Sequence, residues 1–321
     1  MSDDSLNRHI HVVAAALQDP QGRVLIAKRP YRIHQGGRWE FPGGKLELGE
    51  MPAAALAREL NEELGIRVLS SRPLIRVHHD YGDRHILLDV RRVTSYAGDP
   101  LGREGQSIAW VHPDAMDPAV FPAADSLVIS VLRLPERYLI TGADPCVPGR
   151  FMNCLDRALA RGIRLVQLRA HDLSDDDYAG LAAGAFRLCA RHGARLLLNR
   201  DPHLVRVRDL PCHGLHLNGW RLTTLARRPW DDRRLVGASC HNAWDLSQAV
   251  RLGLDYALLS PVRATPSHPD ARPLGWGCFA ALAKGAALPV YALGGLGPDD
   301  LDTAFAHGAQ GIAAVRGFWQ Y

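Results

Sequence analysis

Apolar and polar positions follow two different rhythms along the chain. From residue 8 to about 133, strand-like runs surround one amphipathic segment. "HVVAAALQD" and "RVLIAKR" flank the turn signal "DPQG" and predict a β-hairpin. "LIRVHHDY", "HILLDVRRVTS" and "SIAWV" read as further strands, and Ser126–Leu134 as a closing helix. From Arg137 the rhythm becomes strand then helix in repetition. The strands expected are 137–141, 164–169, 195–199, 214–218, 235–240, 256–262, 289–295 and 311–317. Between the second and third, Ser174 is placed to cap a helix and Gly193 to stop it. Eight such repeats predict a closed (β/α)8 TIM barrel. An open doubly wound sheet is the alternative, but no GxGxxG follows the first strand. Pro135 interrupts the preceding helix, so the expected domains are 1–134 and 135–321.

In the first half, Pro52 suits a first helical turn and Gly65 a C-terminal stop. At helical spacing Glu59, Glu62 and Glu63 share one face, while Ala53, Leu56, Ala57, Leu60 and Leu64 lie on the neighbouring one. The glutamates repel each other, and Glu62 and Glu63 also face the unfavourable C-terminal end of the helix dipole. Carboxylates held together against both effects imply a divalent cation. Hard oxygen donors without cysteine imply Mg²⁺ or Mn²⁺.

Composition narrows the context. The 321 residues carry a net charge of +4 with no Lys/Arg block, which does not suggest a nucleic-acid-binding surface. No apolar run has membrane-spanning length, and the acidic N-terminus is unlike a secretory signal. None of the six cysteines forms a CxxC pair, so they are expected to be buried, reduced thiols of a cytoplasmic protein.

Gly44, Glu50, Arg58, Glu59, Leu60, Glu62, Glu63, Gly65 and Ile66 together resemble the Nudix box at every defined position. That resemblance implies a mixed-sheet α/β/α sandwich that hydrolyses nucleoside diphosphates linked to another group. Glu59, Glu62 and Glu63 would be metal ligands, with one carboxylate, Glu59 first among them, free to accept a proton. Ligand and base are not separable from sequence. Arg58 would orient the carboxylates and Glu50 would brace the loop. The flanking words "KRP", "WEFPGGK", "REGQ" and "FPAAD" are similar to the MutT type, which removes oxidised nucleotides such as 8-oxo-dGTP. On that likeness Arg29 and His34 contact the nucleotide. Glu40, Phe41, Pro42 and Gly43 form the base-and-phosphate edge, the Gly43 carbonyl reaches the metal, and Glu104 is a distant fourth carboxylate. Asp125 stands where the family has a base-reading asparagine. An ionised Asp only accepts hydrogen bonds and would repel O6 of the oxidised guanine. Either Asp125 is protonated in an apolar pocket, or it accepts from N1–H and the 2-amino group instead.

The second half resembles the thiamine phosphate synthase/TenI family in "LVQLRAHDL", "LLLNRDPHL", "GLHLN", "GASCHNAWD", "YALLSPV" and "ALGGL". A phosphate or ligand site is expected from Gln167, Arg169, His241, Gly294, Gly295, Arg316 and Gly317 at the C-terminal strand ends. The chain departs from the synthases at their metal-binding aspartate, which is Arg200 here. A second acidic position reads "NGWR", and "TPSH" lacks the family's lysine. Diphosphate chemistry is therefore expected to be impaired. A thiazole phosphate could still be bound, or tautomerised with His241 as base.

Three functional readings compete. The first is a Nudix enzyme acting on 8-oxo-dGTP or a related nucleoside triphosphate, carrying a degenerate barrel. The second is a thiamine-metabolism protein whose Nudix half hydrolyses thiamine diphosphate analogues. In the third, the barrel is a non-catalytic ligand sensor, its ligand a thiazole or thiamine phosphate, or a scaffold, controlling the Nudix half.

Overall fold

The computed structural model describes residues 9–32, 35–142, 147–230, 234–265 and 271–319. The chain divides into two compact units, Met1–Arg133 and Leu134–Tyr321.

The first unit contains β1 (His9–Leu17), β2 (Val24–Lys28), β3 (Trp39–Glu40), β4 (Gly43–Lys45), α1 (Pro52–Leu64), β5 (Arg67–Asp80), β6 (His85–Ala97), β7 (Ile108–Val111) and α2 (Asp125–Arg133). One mixed sheet has the order β4-β1-β6-β5, with β1 parallel to β6 and antiparallel to β4. A smaller sheet has the order β3-β2-β7. The apolar run in β1 explains the layering, because a strand covered on both faces need not alternate with polar residues. Val13, Ala15 and Leu17 pack with Leu56, Leu60 and Leu64 of α1. Ala14 and Ala16 face the opposite way, with Val128 and Ile129 of α2. Three fully buried leucines on α1 contribute on the order of 6 kcal/mol to this docking. Gly65, in the left-handed conformation at φ 71°, ends α1 where the sequence predicted.

One expectation needs correction. The "DPQG" turn forms, with the Asp19 carboxylate accepting from the Gln21 and Arg23 amides, but its strands do not make a simple hairpin. Beyond the single Gln18–Val24 bridge, β1 and β2 diverge into different sheets, because β4 and β6 take both edges of β1. Gly43 and Gly44 form β4 with Lys45 and pair with Val12–Ala14. A side chain on Gly44 would collide with the Glu59 carboxylate, so the glycine allows α1 to lie close.

The second unit is a closed parallel barrel of eight strands. These are β8 (Arg137–Ile140), β9 (Leu165–Leu168), β10 (Arg195–Leu198), β11 (Gly214–Leu217), β12 (Leu235–Cys240), β13 (Tyr256–Leu259), β14 (Val290–Leu293) and β15 (Gly311–Ala314). Around them lie α3 (Pro148–Ala160), α4 (Asp175–Arg191), α5 (Pro202–Val207), α6 (Gly219–Thr224), α7 (Ala243–Arg251), α8 (Gly275–Gly285) and α9 (Leu301–Ala306). Tyr138, Tyr256, Tyr291, Leu165, Leu197 and Leu258 fill the interior. Ser174, Asp201, Asn218 and Asn242 cap α4, α5, α6 and α7 through their side chains, fixing each helix start just beyond a strand. Most expected strands ran too long at their C-terminal ends. The surplus residues, among them Asn199, Ser260, Gly294 and Arg316, leave the ladder and line a cavity. The cysteine expectation holds only in part: Cys154, Cys189 and Cys240 are buried and free, but Cys278 is exposed and Cys146 lies outside the described residues.

Candidate functional site

In the first unit, Arg58 organises the α1 carboxylates. Its Nε and Nη2 donate to the two oxygens of Glu50 (3.2 and 3.0 Å), and Nη2 also donates to the Lys45 carbonyl (3.1 Å). Nη1 donates to Glu59 (2.9 Å) and lies 3.7 Å from Glu62. The guanidinium fork thus ties the loop to the helix and fixes Glu59, a geometry that lysine could not reproduce. The Arg58 hydrogen bonds hold the Glu50 carboxyl below its ordinary range.

Glu63 accepts from the Gly43 amide (3.1 Å). Its carboxyl is pushed up to about 8, chiefly by burial and further by the charges of Glu40, Glu59 and Glu104. Glu104 arrives from elsewhere in the chain, because its loop docks on the end of α1. Arg103 N and Gln106 Nε2 both donate to the Glu63 carbonyl (2.9 and 3.0 Å). Glu59 is largely covered and Glu62 is 55% exposed. Among the described residues, no three His, Cys, Asp or Glu side chains form a ready metal cage. The donor set nevertheless suits a hard cation, since Glu63 is a buried carboxyl crowded by three others.

On the smaller sheet, at the end of β2, Arg29 is ion-paired with Glu40 of β3. Burial raises the Glu40 carboxyl despite that partner. Asp125 opens α2 and is 5% exposed. Its carboxyl is pushed up to about 8, first by burial and then by Glu40, with Arg29 opposing. A group titrating there is mostly protonated at pH 7. A neutral carboxyl has one donor and one acceptor, as a carboxamide does.

In the second unit, a cavity of about 740 Å³ opens at the C-terminal strand ends. Gln167, Arg169, His241, Gly294, Gly295, Arg316 and Gly317 all line it. No carboxylate is among the described residues of its wall. His241 Nδ1 lies 2.9 Å from the Ser260 carbonyl, so Nδ1 carries the proton and Nε2 keeps a lone pair. Arg200 donates to the carbonyls of Ala170, His171 and Leu173, pairs with Asp175 (3.2 Å) and stacks on Tyr178. It clamps the β9–α4 loop. Asn218 is engaged in capping α6. A synthase-type metal finds no carboxylate at these positions.

Comparison with known proteins agrees with both halves. A family profile described as thiamine monophosphate synthase matches residues 137–318, more than half of the chain. One described as a NUDIX domain matches residues 13–131. The 8-oxo-dGTP diphosphatase of Proteus vulgaris is 45% identical over 98 residues, spanning 30% of this chain and 88% of that protein. This chain belongs to the Nudix and thiamine monophosphate synthase families. The Nudix half is also 32% identical to the 8-oxo-dGTP diphosphatase of Escherichia coli over 126 residues, 39% of this chain and 98% of that one. The barrel is 32% identical to the thiamine-phosphate synthase of Thermosynechococcus vestitus over 182 residues, 56% of this chain and 50% of that protein.

Within the Nudix domain, Gly43, Arg58, Glu59 and Glu63 gather along α1 and β4 with Glu104 close to Glu63, Glu62 lies exposed beside Arg58, and Arg29, Glu40 and Asp125 form a second group. His34 lies outside the described residues. Phe41 departs from expectation. Its side chain is buried against Phe121 and belongs to the core, so only its main chain and that of Pro42 can face a ligand. Sequence reasoning missed Arg38 and Tyr81. Arg38 donates to the carbonyls of Ala119 and Phe121 (2.9 and 2.8 Å), and the Tyr81 hydroxyl accepts from the Ala124 amide (3.4 Å). Both brace the segment that carries Asp125. Tyr81 sits in a turn word, "DYGD", whose only local signal is the turn itself.

Proposed function

We propose that the Nudix domain hydrolyses 8-oxo-dGTP, or a closely related deoxynucleoside triphosphate, to the monophosphate and pyrophosphate. On this reading it cleans the nucleotide pool of the cytoplasm. The observation that carries it is the pairing of a carboxylate cluster on α1 with an Asp125 that is 5% exposed, a burial that favours its neutral form. A neutral carboxyl there would suit the base-reading position. Its carbonyl oxygen accepts N7–H of the oxidised base, and its O–H donates to O6. An unoxidised guanine has no N7–H to offer.

Glu59, Glu62, Glu63 and Glu104, with the Gly43 carbonyl, are the groups that would hold Mg²⁺, or Mn²⁺ in its place. A bound divalent ion supplies neutralisation of phosphate charge and a more acidic water. The chain's own contribution is positional. Arg58 fixes Glu59 and the loop, and Gly43 N–H fixes Glu63. A carboxylate, Glu59 in the first instance, takes the proton of the water as oxygen adds to phosphorus and the anhydride bond breaks. A Mg²⁺-dependent turnover panel of 8-oxo-dGTP, dGTP, thiamine diphosphate and its oxidised analogues tests this. Turnover of dGTP as efficient as that of 8-oxo-dGTP overturns it.

Fusion to a thiamine-family barrel favours a second reading, in which thiamine diphosphate analogues are the Nudix substrates. Preferential turnover of those compounds in the same panel selects it. For the barrel, the free Nε2 of His241 supports tautomerisation of a thiazole phosphate. A His241→Ala protein that is as active as the parent on such a tautomer removes His241 from that chemistry.

A further inference from the structure

A second cavity, of about 360 Å³, is formed by α5, α6 and the 225–229 segment that follows α6. No strand residue lines it, and it shares no residue with the cavity at the strand ends. Its size is that of a small-molecule site.

Four arginines line this groove, and they are engaged to different degrees. Arg228 is fully committed. It donates to the Trp230, Gly253 and Arg234 carbonyls and pairs with Asp255 (2.6 Å). Arg206 is exposed and gives one bond, from Nη2 to the Pro229 carbonyl (2.5 Å). Arg227 is exposed and has no hydrogen bond or ion pair among the described residues. Arg221 has a single carboxylate partner, Asp201, at 3.5 Å from Nη2, and its Nε is buried without a partner. Asp201 is itself divided, because its other oxygen accepts the His203 amide (2.8 Å) at the start of α5. Buried N–H groups are ordinarily paired, and a guanidinium ordinarily sits closer to its carboxylate than this. Arg221 is therefore a cation short of partners.

Asp255 offsets Arg228, and Asp201 offsets one more arginine. With His203 counted as neutral, two positive charges of the described lining remain unmatched. A phosphate monoester carries close to two negative charges at pH 7 and matches that surplus. Trp220 adds a surface of another kind. It is 67% exposed in the same lining, so its indole is open to a planar ring. Stacking of this kind accepts any nucleobase, because each has a π-face. We propose that the groove between α5 and α6 binds a nucleoside monophosphate, its base stacked on Trp220 and its phosphate held by Arg206, Arg221 and Arg227. This goes beyond the hydrolase reading and does not rest on it.

Adenosine monophosphate tests the site without relying on turnover or on a guanine-reading position. The full chain is labelled with 5-fluorotryptophan and followed by fluorine-19 NMR. The Trp220 resonance is identified by its loss in Trp220→Phe. Adenosine monophosphate is expected to shift that resonance saturably at submillimolar concentration. Adenosine and ribose 5-phosphate each lack half of the ligand, and each should bind about tenfold more weakly or worse. Arg227→Gln and Arg206→Gln should each weaken adenosine monophosphate roughly tenfold, the scale of a hydrogen bond to a charged group. Arg227 makes no contact of this kind that folding could lose, so its variant keeps the test open should Arg206→Gln melt early. The proposal is overturned by a Trp220 resonance that does not move with adenosine monophosphate. It is equally overturned by adenosine or ribose 5-phosphate binding as tightly as the whole ligand, or by an affinity unchanged in Arg227→Gln.

Discussion

Asp125→Asn gives a direct test of how the Nudix domain reads its base. With a carboxyl titrating near 8, Asp125 is about nine-tenths protonated at pH 7 and about one-tenth at pH 9. If only the neutral form can donate to the base, kcat/KM of the parent protein falls roughly tenfold over that interval through this group alone. Asparagine keeps its donor at every pH. The quantity to measure is therefore the ratio of parent to variant kcat/KM for 8-oxo-dGTP, point by point from pH 6 to 9. Titration of the substrate or of Glu63 cancels in that ratio. It should lie near one at low pH and fall about tenfold by pH 9. Stability supplies an independent reading. Because the folded-state pKa is raised from 3.8 to about 8, the folded protein holds this proton more tightly than the unfolded chain. That contribution is complete below 3.8 and is lost as pH rises through 8, at most about 6 kcal/mol. The carboxamide of the variant does not titrate and has no such slope, so the variant's melting temperature should gain on the parent's as the pH is raised. A flat activity ratio together with parallel melting curves would refute the neutral carboxyl.

Other substitutions probe the remaining parts. Arg58→Lys keeps the charge but loses the fork to Glu50 and Glu59, and should lower kcat roughly 10- to 100-fold with little change in KM, read from steady-state kinetics. Glu63→Gln should weaken the Mg²⁺ dependence of turnover by roughly 10- to 100-fold. Thermal melting should find the variant no less stable, because the amide is neutral at every pH among the crowded carboxyls and can still accept from the Gly43 amide; clear destabilisation would contradict the crowding. Arg200→Ala should cost the barrel about 2–4 kcal/mol and speed hydrogen exchange in residues 170–174, since the lost guanidinium satisfies three carbonyls.

Much of the architecture was legible because the signals were periodic and local. The alternation of strand and helix after Arg137 and the Pro52–Gly65 frame around α1 both have short-range causes, and both appear in the structure. The divergence of β1 from β2 was not legible, because it depends on β4 and β6 competing for the edges of β1. The barrel cavity lining was readable from strand ends, since chain that leaves a parallel ladder must expose its polar groups there. The hydrogen-bonded series that runs from Asn199 through Gln167, Tyr138, Tyr256 and His216 to Ser239 was not. His216, Tyr138 and Tyr256 sit inside apolar strand words, and only barrel closure brings together side chains separated by as many as 118 positions.

The two halves would meet a phosphate with opposite electrostatics. In the Nudix domain, Glu63 is buried among Glu40, Glu59 and Glu104, a grouping that burial alone disfavours. Such a cluster repels a triphosphate unless positive charge is supplied from outside the chain, so its chemistry is conditional on that supply. The barrel cavity has the reverse character. Arg169 and Arg316 provide the charge permanently, and Arg200 occupies with a guanidinium the position where the synthases are expected to place a carboxylate. Restoring an aspartate at that position would therefore not simply recreate a metal site. It would also release the Ala170, His171 and Leu173 carbonyls and remove the cation stacked on Tyr178. Arg200 holds the loop that carries His171 of the cavity wall, which gives the departure from the expected synthase pattern a structural cost of reversal.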